Sequence, residues 1–315
     1  MRIALVTPAR PGSRSGNRHT ALRWATFLRA AGHRVMLGTQ WDLDPATELL
    51  LALHARRSHA SIRAFAQRYP ARPLVVALTG TDVYRDIHVS DEARASLGMA
   101  TRMIVLQPKA AQELPARLRR RVRVVVQSSA TRLRQRPVRC RFRVCVVGHL
   151  REEKDPLRAL AALAHLDPAA LEVEVLQLGA ALDDDLAQRA RTAMRREPRY
   201  RWLGDVPHSS ALRWLASSHL MIISSRMEGG ANVVSEAIRI GVPVLASRIS
   251  GNIGLLGATY PAYFPVADDR ALARLVLRAA SDPAYYAMLK RCLRALRPMV
   301  SPPSEAKALL AALQG

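Results

Sequence analysis

The feature that most constrains this chain is an alternation. Short apolar runs recur along it, at Arg2–Val6, Arg34–Thr39, Leu49–Leu53, Leu74–Leu78, Met103–Leu106 and Val122–Val126. The pattern restarts at Phe142–Val147, Glu172–Leu178, Trp202–Gly204, Leu220–Ile223 and Val242–Ala246. Between the runs lie stretches of helical periodicity, near residues 19–31, 58–69, 156–166, 183–196, 209–217 and 233–240. Buried strands separated by helices make a parallel sheet, because a parallel pair needs a crossover and a helix supplies it. The expectation is therefore an α/β chain with two doubly wound parallel sheets. Hydrophobicity falls between 127 and 141, where Arg132, Arg134, Arg136, Arg139 and Arg141 cluster. This predicts an N-terminal domain over 1–130, a linker over 131–141 and a second domain over 142–315, sizes ordinary for a chain of 315 residues. Helical patterns near 269–280, 284–296 and 302–313 close the chain.

The strongest local signal is Ser224 to Ala237, SSRMEGGANVVSEA. An apolar strand runs into a glycine turn and the turn into a helix, ended by Gly241 and Pro243. Free N–H groups and the positive helix end then converge on one spot, which suits a phosphate or diphosphate. Gly229 and Gly230 let a ligand approach the backbone closely. Glu228 lies in the turn and Glu236 about one helical turn inside. Helical side chains lean toward the N-terminus, so both carboxylates reach the same mouth, where they could grip sugar or ribose hydroxyls. The alternative is that Glu228 caps the helix and Glu236 is a solvated first-turn acid.

Charge narrows the partners. The formal net charge is +23, and only four of the 48 basic residues are lysines. Such a chain attracts anions, among them nucleic acid, acidic lipid or an anionic substrate such as a nucleotide sugar. Zinc-finger spacing and aromatic RNA-binding strands are missing, so no nucleic-acid partner is expected. No carboxylate or His cluster has metal-ligand spacing, so no metal is expected. The three cysteines, Cys140, Cys145 and Cys292, show no C-x-x-C pattern, which fits a reducing, cytoplasmic location. No apolar run reaches the roughly 18–20 residues a membrane span needs, and the first apolar run stops at Thr7-Pro8, so neither a span nor a signal peptide is expected.

Glu228 and Glu236 with seven residues between them, followed by Ala237 and Gly241-Val242-Pro243-Val244-Leu245-Ala246-Ser247, resemble the C-terminal signature of retaining GT-B glycosyltransferases of the glycogen-synthase-like type. The resemblance implies two Rossmann-like domains facing across a cleft, with the last helix packing back on the first. It implies that Glu236 holds the nucleotide ribose and Glu228 the donor sugar, with Gly229, Gly230, Ala231, Asn232 and Val233 around the diphosphate. Gly148 to Pro156 ends the first strand of domain two, and there the family carries an Arg after the Gly and a Lys five residues later. Lys154 matches that Lys, but His149 stands at the Arg position, and Arg151 is a candidate to supply the missing charge. His149 reads either as a catalytic group beside a leaving phosphate or as a strand-end His bonded to backbone. Ser250-Gly251-Asn252 resembles the family's glycine turn facing the donor sugar, so Gly251 joins the donor candidates.

A narrower resemblance spans nearly the whole chain. Thr7-Pro8, Gly16 to Ala25, Leu78 to Tyr84 and Met227 to Val234 are similar to the selenosugar synthases of selenoneine biosynthesis. This implies that selenophosphate is joined to the anomeric carbon of the sugar of UDP-N-acetylglucosamine, with release of UDP and phosphate. The substrates would serve without a cofactor, and enzymes of selenium metabolism would be the partners. The loop after the first strand carries Arg10, Arg14 and Arg18 with Gly16 and Asn17 at a helix start, which suits a phosphate-like anion. The Thr79-Gly80-Thr81-Asp82 turn ends another strand. Thr81 and Asp82 are acceptor candidates there, although a turn-stabilising Asp is the commoner role. The rival readings are a UDP-sugar-dependent O-glycosyltransferase acting on a glycan, lipid or small-molecule hydroxyl, and a non-catalytic basic nucleic-acid-binding protein.

Overall fold

A computed structural model describes residues 1–169 and 171–314. The chain divides into two units. Unit 1 comprises Met1–Ser128, Glu228–Ala231 and the tail from Pro302; unit 2 comprises Ser129–Met227 and Asn232–Ser301.

Unit 1 contains β1 (Arg2–Val6), α1 (Gly16–Ala30), β2 (Arg34–Gly38), β3 (Leu49–Leu53), α2 (His59–Arg68), β4 (Leu74–Leu78), α3 (Asp91–Met99), β5 (Arg102–Val105) and β6 (Val122–Val124). The strands form one parallel sheet of order β2-β1-β3-β4-β5-β6. Its central strands are buried on both faces, and alternate residues feed separate cores. Leu50 and Ala52 pack with Ile62, Phe65 and Leu97 on one side. Leu49, Leu51 and Leu53 pack with Trp24 and Leu28 on the other. Each such Leu or Phe, fully buried, contributes about 1.5–3 kcal/mol.

The C-terminal helix Pro302–Gln314 completes the second of these cores with Leu309 and Leu313. A buried carboxylate fixes it. Glu305 accepts from Arg23 Nε (2.7 Å), Trp24 Nε1 (2.7 Å), Ser128 N (2.7 Å) and Ser128 Oγ (2.5 Å).

Unit 2 contains β7 (Phe142–Val147), α4 (Arg158–Leu163), β8 (Val173–Leu178), α5 (Asp184–Arg196), β9 (Tyr200–Trp202), α6 (His208–Ala216), β10 (Leu220–Ile223), α7 (Asn232–Ile240), β11 (Val244–Ser247), α8 (Ser250–Leu256), β12 (Tyr263–Phe264), α9 (Asp269–Ser281) and α10 (Pro283–Leu296). These strands are also all parallel, in the order β12-β11-β10-β7-β8-β9.

Several local expectations shift. Residues 129–141 form no repeating element, yet they are held along unit 2 rather than strung as a free connector. Gln135 N donates to Ile240 O (3.1 Å), Arg136 N to Ala216 O (2.8 Å) and Val138 N to Ser217 O (3.1 Å). The segment after β7 makes a tight turn at Glu152–Lys154 and a left-handed Asp155 (φ 42°) before α4, so the helix starts later than Pro156. Gly251 lies in the first turn of α8, where a glycine turn was expected. α1 starts at Gly16, because Ser15 Oγ accepts from Arg18 N (3.4 Å) and caps the helix.

Candidate active site

Strand order locates the site in each unit. In an open parallel sheet, loops leaving neighbouring strands in opposite directions open a crevice at the strands' C-terminal ends. In unit 2 the chain leaves β7 toward β8 and later returns to β10 on the other side, so the crevice lies between β7 and β10. The two turns that the sequence singles out, Gly148–Asp155 after β7 and the segment after β10, flank that point.

Short hydrogen bonds tie these turns together within unit 2. Ser224 Oγ donates to Lys154 O (3.1 Å) and Asp155 O (2.8 Å), and Arg226 N donates to Glu153 O (2.9 Å). Ser247 Oγ, at the end of β11, donates to Ser225 O (2.5 Å). Asn252 Nδ2 in turn donates to Ser247 O (2.9 Å) and Ser247 Oγ (3.1 Å). Ser224, Ser225, Ser247 and Asn252 are all buried. Small hydroxyl residues at strand ends thus fix three loops against one another. The Lys154 stem lies against Gly148, its Cδ 3.9 Å from where a Cβ would stand.

Gly179 has a similar positional demand. Its φ is +141°, and a Cβ there would fall 2.2 Å from Gly148 O, inside the backbone of the β7 turn. His149 bridges the same two turns. Its Nδ1 accepts from Ala180 N (3.0 Å), which is the backbone-bonded role weighed for it in the sequence. That bond places the ring proton of a neutral His149 on Nε2. Arg151 turns toward Glu153, Nε to Oε2 4.0 Å.

Asn232 and Val233 open α7, half-buried, and bring its first N–H groups to the β10 side of the crevice. Glu236 lies one turn further in, its side chain 13 % exposed. Its Oε1 meets His208 Nε2 at 2.8 Å. His208 opens α6 directly after Pro207. Sequence reading missed it, since nothing in spacing connects residue 208 with residue 236.

Glu228, Gly229, Gly230 and Ala231 belong with unit 1. The space that the two glycines leave is used by protein. A Cβ on Gly229 would stand 2.4 Å from Thr79 O, and one on Gly230 would stand 2.5 Å from Leu106 Cβ. The glycine pair is therefore demanded by packing, a correction to the reading that a ligand's approach requires it. Glu228 is buried, 7 % exposed.

The crevice of unit 1 lies between β1 and β3, where the chain reverses its direction across the sheet. The loop after β1 carries exposed Arg10 and Arg14, and Arg18 follows half-buried in α1 beside Gly16 and Asn17. At the end of β3 stands His54, in a left-handed conformation (φ 75°) and 2 % exposed. Its Nδ1 accepts from Arg57 N (3.3 Å), so the ring proton is on Nε2, which faces Thr81 Oγ1 at 3.2 Å. Thr81 Oγ1 thus accepts from the His54 ring. Burial, opposed by Asp82, holds His54 below its ordinary pKa of 6.5.

Asp82 itself is fully buried and accepts from Thr79 N (2.9 Å), Gly80 N (2.7 Å), Val83 N (3.1 Å) and Ala55 N (3.2 Å). Four backbone donors occupy its carboxylate, which is the turn-stabilising role weighed for it in the sequence. His54 went unnoticed in the sequence because a single His closing an apolar run carries no pattern.

Two six-stranded parallel α/β sheets in these orders are the GT-B architecture, and the fold of this chain is GT-B. Residues 141–282 match the family described as "Glycosyl transferases group 1". Among similar solved structures is HepE from Anabaena in complex with UDP-glucose, at 17% identity over 99% of both chains, with a TM-score of 0.79. Sucrose-phosphate synthase from Thermosynechococcus elongatus is similar at 17% identity, over 97% of this chain and 96% of that one, with a TM-score of 0.76. The lipopolysaccharide outer core galactosyltransferase WaaB, apo form, has 12% identity over 99% of both chains and a TM-score of 0.72. No described helix is long and apolar enough to cross a membrane.

Proposed function

We propose that this chain is a glycosyltransferase using a UDP-sugar donor. One observation carries the reading: the Lys154 turn is hydrogen-bonded to the end of β10 at one topological crevice, and the helix that follows β10, α7, carries Glu236 one turn in from its start. Ammonium, helix N-terminus and carboxylate are the groups a nucleoside diphosphate needs, for its phosphates and its ribose diol respectively. The HepE complex with UDP-glucose supports a UDP-sugar over other nucleotide sugars.

In this reading Asn232 and Val233 N–H and Lys154 hold the diphosphate, and Glu236 holds the ribose. Charge develops on the leaving UDP as the anomeric bond breaks. Fixed donors aimed at that charge lower the barrier, typically by about 3–4 kcal/mol for each well-placed donor. Glu228 holds the sugar. His149 acts chiefly by fixing the β7 turn, since its Nδ1 is committed to Ala180.

The finer reading assigns UDP-N-acetylglucosamine as donor and selenophosphate as acceptor, supported by the likeness of Thr7-Pro8, Gly16–Ala25, Leu78–Tyr84 and Met227–Val234 to selenosugar synthases. Selenium attacks the anomeric carbon, the Se–C bond forms, the C–O bond to UDP breaks, and UDP leaves with the electron pair. Water then cleaves the P–Se bond and releases phosphate. Arg10, Arg14 and Arg18 would hold the phosphate end of the acceptor and position the attack. The reading puts no metal at the site, as the spacing of carboxylates and histidines in the sequence suggests.

Mass spectrometry of reactions containing selenophosphate with UDP-N-acetylglucosamine or UDP-glucose, with and without EDTA, tests these statements. The expected product is a selenium-bearing sugar with UDP and phosphate, insensitive to EDTA. Products formed only on alcohols would replace the acceptor assignment and keep the donor. No melting shift with UDP, together with steeply salt-dependent nucleic-acid binding, would overturn the enzyme reading altogether.

A further inference from the structure

A second concentration of charge lies in unit 2 at the C-terminal ends of α7 and α10, and the donor site does not use it. Arg239 stands in the last turn of α7 and Arg294 in the last turn of α10, with Arg297 just past its end. The two helix ends meet where Arg297 Nη2 donates to Arg239 O at 2.6 Å. The arginine-rich segment before β7 joins them, because the Gln135 N to Ile240 O bond lays Arg134 beside this corner. Burial, then repulsion from Arg134, Arg239 and Arg294, holds the Arg297 guanidinium below its ordinary pKa.

No counter-charge accompanies these arginines. Residues 114–151, 237–267 and 283–304, the stretches that supply them, contain no Asp or Glu. Among the described residues none of the four makes an ion pair. The Nε atoms of Arg239 and Arg297 are buried without an acceptor. Helix capping explains part of the arrangement, since terminal carbonyls attract cations and Arg297 bonds one of them. It does not explain why Arg134 and Arg294 add exposed charge at the same corner.

We propose that Arg134, Arg239, Arg294 and Arg297 form a second anion site that takes a phosphate-bearing ligand. Guanidinium forks match oxyanions in shape, and several cations at one corner exceed what one carboxylate could balance. A phosphate monoester or diphosphate brings two or more charges and acceptors on every side. Such a group could come from a soluble phosphorylated compound or from an anionic phospholipid headgroup. The inference stands independently of the UDP-sugar reading.

Calorimetric titration of inorganic pyrophosphate into the full chain, with excess UDP present, tests it. The comparison is the double variant Arg134→Gln/Arg294→Gln, whose exposed side chains can change without disturbing the core. Wild type should bind, and the variant should bind at least about tenfold more weakly, with UDP affinity equal in both. Because the readout is the difference between the two proteins, a failure of UDP to bind would count against the donor reading alone. Sedimentation with phosphatidylglycerol vesicles that the variant loses, without a response to free pyrophosphate, would name the headgroup as the source. Equal behaviour of both proteins toward both probes overturns the site. Binding of an RNA oligonucleotide alone, lost in the variant, overturns it in favour of a nucleic-acid surface.

Discussion

Replacing Glu236 by Ala isolates the carboxylate on which the donor reading turns. Its side chain is 13 % exposed, and one oxygen is already engaged by His208 at 2.8 Å. A carboxylate offers about four acceptor positions, so a ribose diol can still use two of them. Hydrogen bonds to a charged group are each worth about 1.5–3 kcal/mol net, and correlated loss of two costs about 2–4 kcal/mol. UDP should therefore bind roughly 30- to 1000-fold more weakly to Glu236→Ala. His208→Ala leaves the carboxylate in place and removes only its anchor. Because His208 is half-exposed, that loss is at most about 1 kcal/mol, or about fivefold in affinity. Isothermal titration with UDP reads both, and thermal melts without ligand confirm that the fold is kept. If Glu236→Ala bound UDP within about twofold of wild type while melting normally, the ribose assignment and the reasoning behind it would fail.

Gly179→Ala should cost about 1–3 kcal/mol by overpacking, because its Cβ would stand 2.2 Å from Gly148 O. It should also weaken UDP binding by displacing the β7 turn, so unchanged affinity in a destabilised variant would separate that turn from the donor site. Glu305→Ala strands the Arg23 charge, the Trp24 indole N–H and the Ser128 N–H, and urea unfolding should show a loss of about 3–5 kcal/mol. His54 has a native pKa below 6.5, so the unfolded chain takes up its proton first as pH falls. The stability it contributes is whole above about 6.5 and is lost as pH drops toward the lowered native value. His54→Asn tolerates the left-handed backbone and should flatten the slope of the urea midpoint between pH 8 and 5; an unchanged slope would assign that dependence elsewhere.

The alternation of buried runs and helices carried most of the fold, because a strand buried on both faces has few other ways to be satisfied. β1, β3, β4, β7 and β10 fall where the apolar runs stand. Helix starts moved where a cap or a turn intervened, as at Ser15 before α1 and Asp155 before α4. At the site, the β10 turn and α7 were legible because a strand, a glycine turn and a helix start have a local signature. Lys154 was legible through its resemblance to a family pattern. His208, His54, Ser247 and Asn252 were not, since each matters through a partner on another element. His149 and Asp82 carried two readings each, and the backbone bonds that each makes came to light only in the structure.

The order of residues already dictated two parallel α/β sheets, a strongly positive chain, and a strand, glycine turn and helix start beside residue 230. Those properties depend on periodicity, charge and local backbone chemistry, which act over a few neighbouring residues. Folding in three dimensions decided which strand ends became neighbours, and so placed both crevices, paired His208 with Glu236, and gathered Arg134, Arg239, Arg294 and Arg297 at one corner. It also turned Gly229 into a packing residue, pressed against Thr79. Contacts between residues distant in the chain are set by packing of whole elements, and no short-range pattern encodes them.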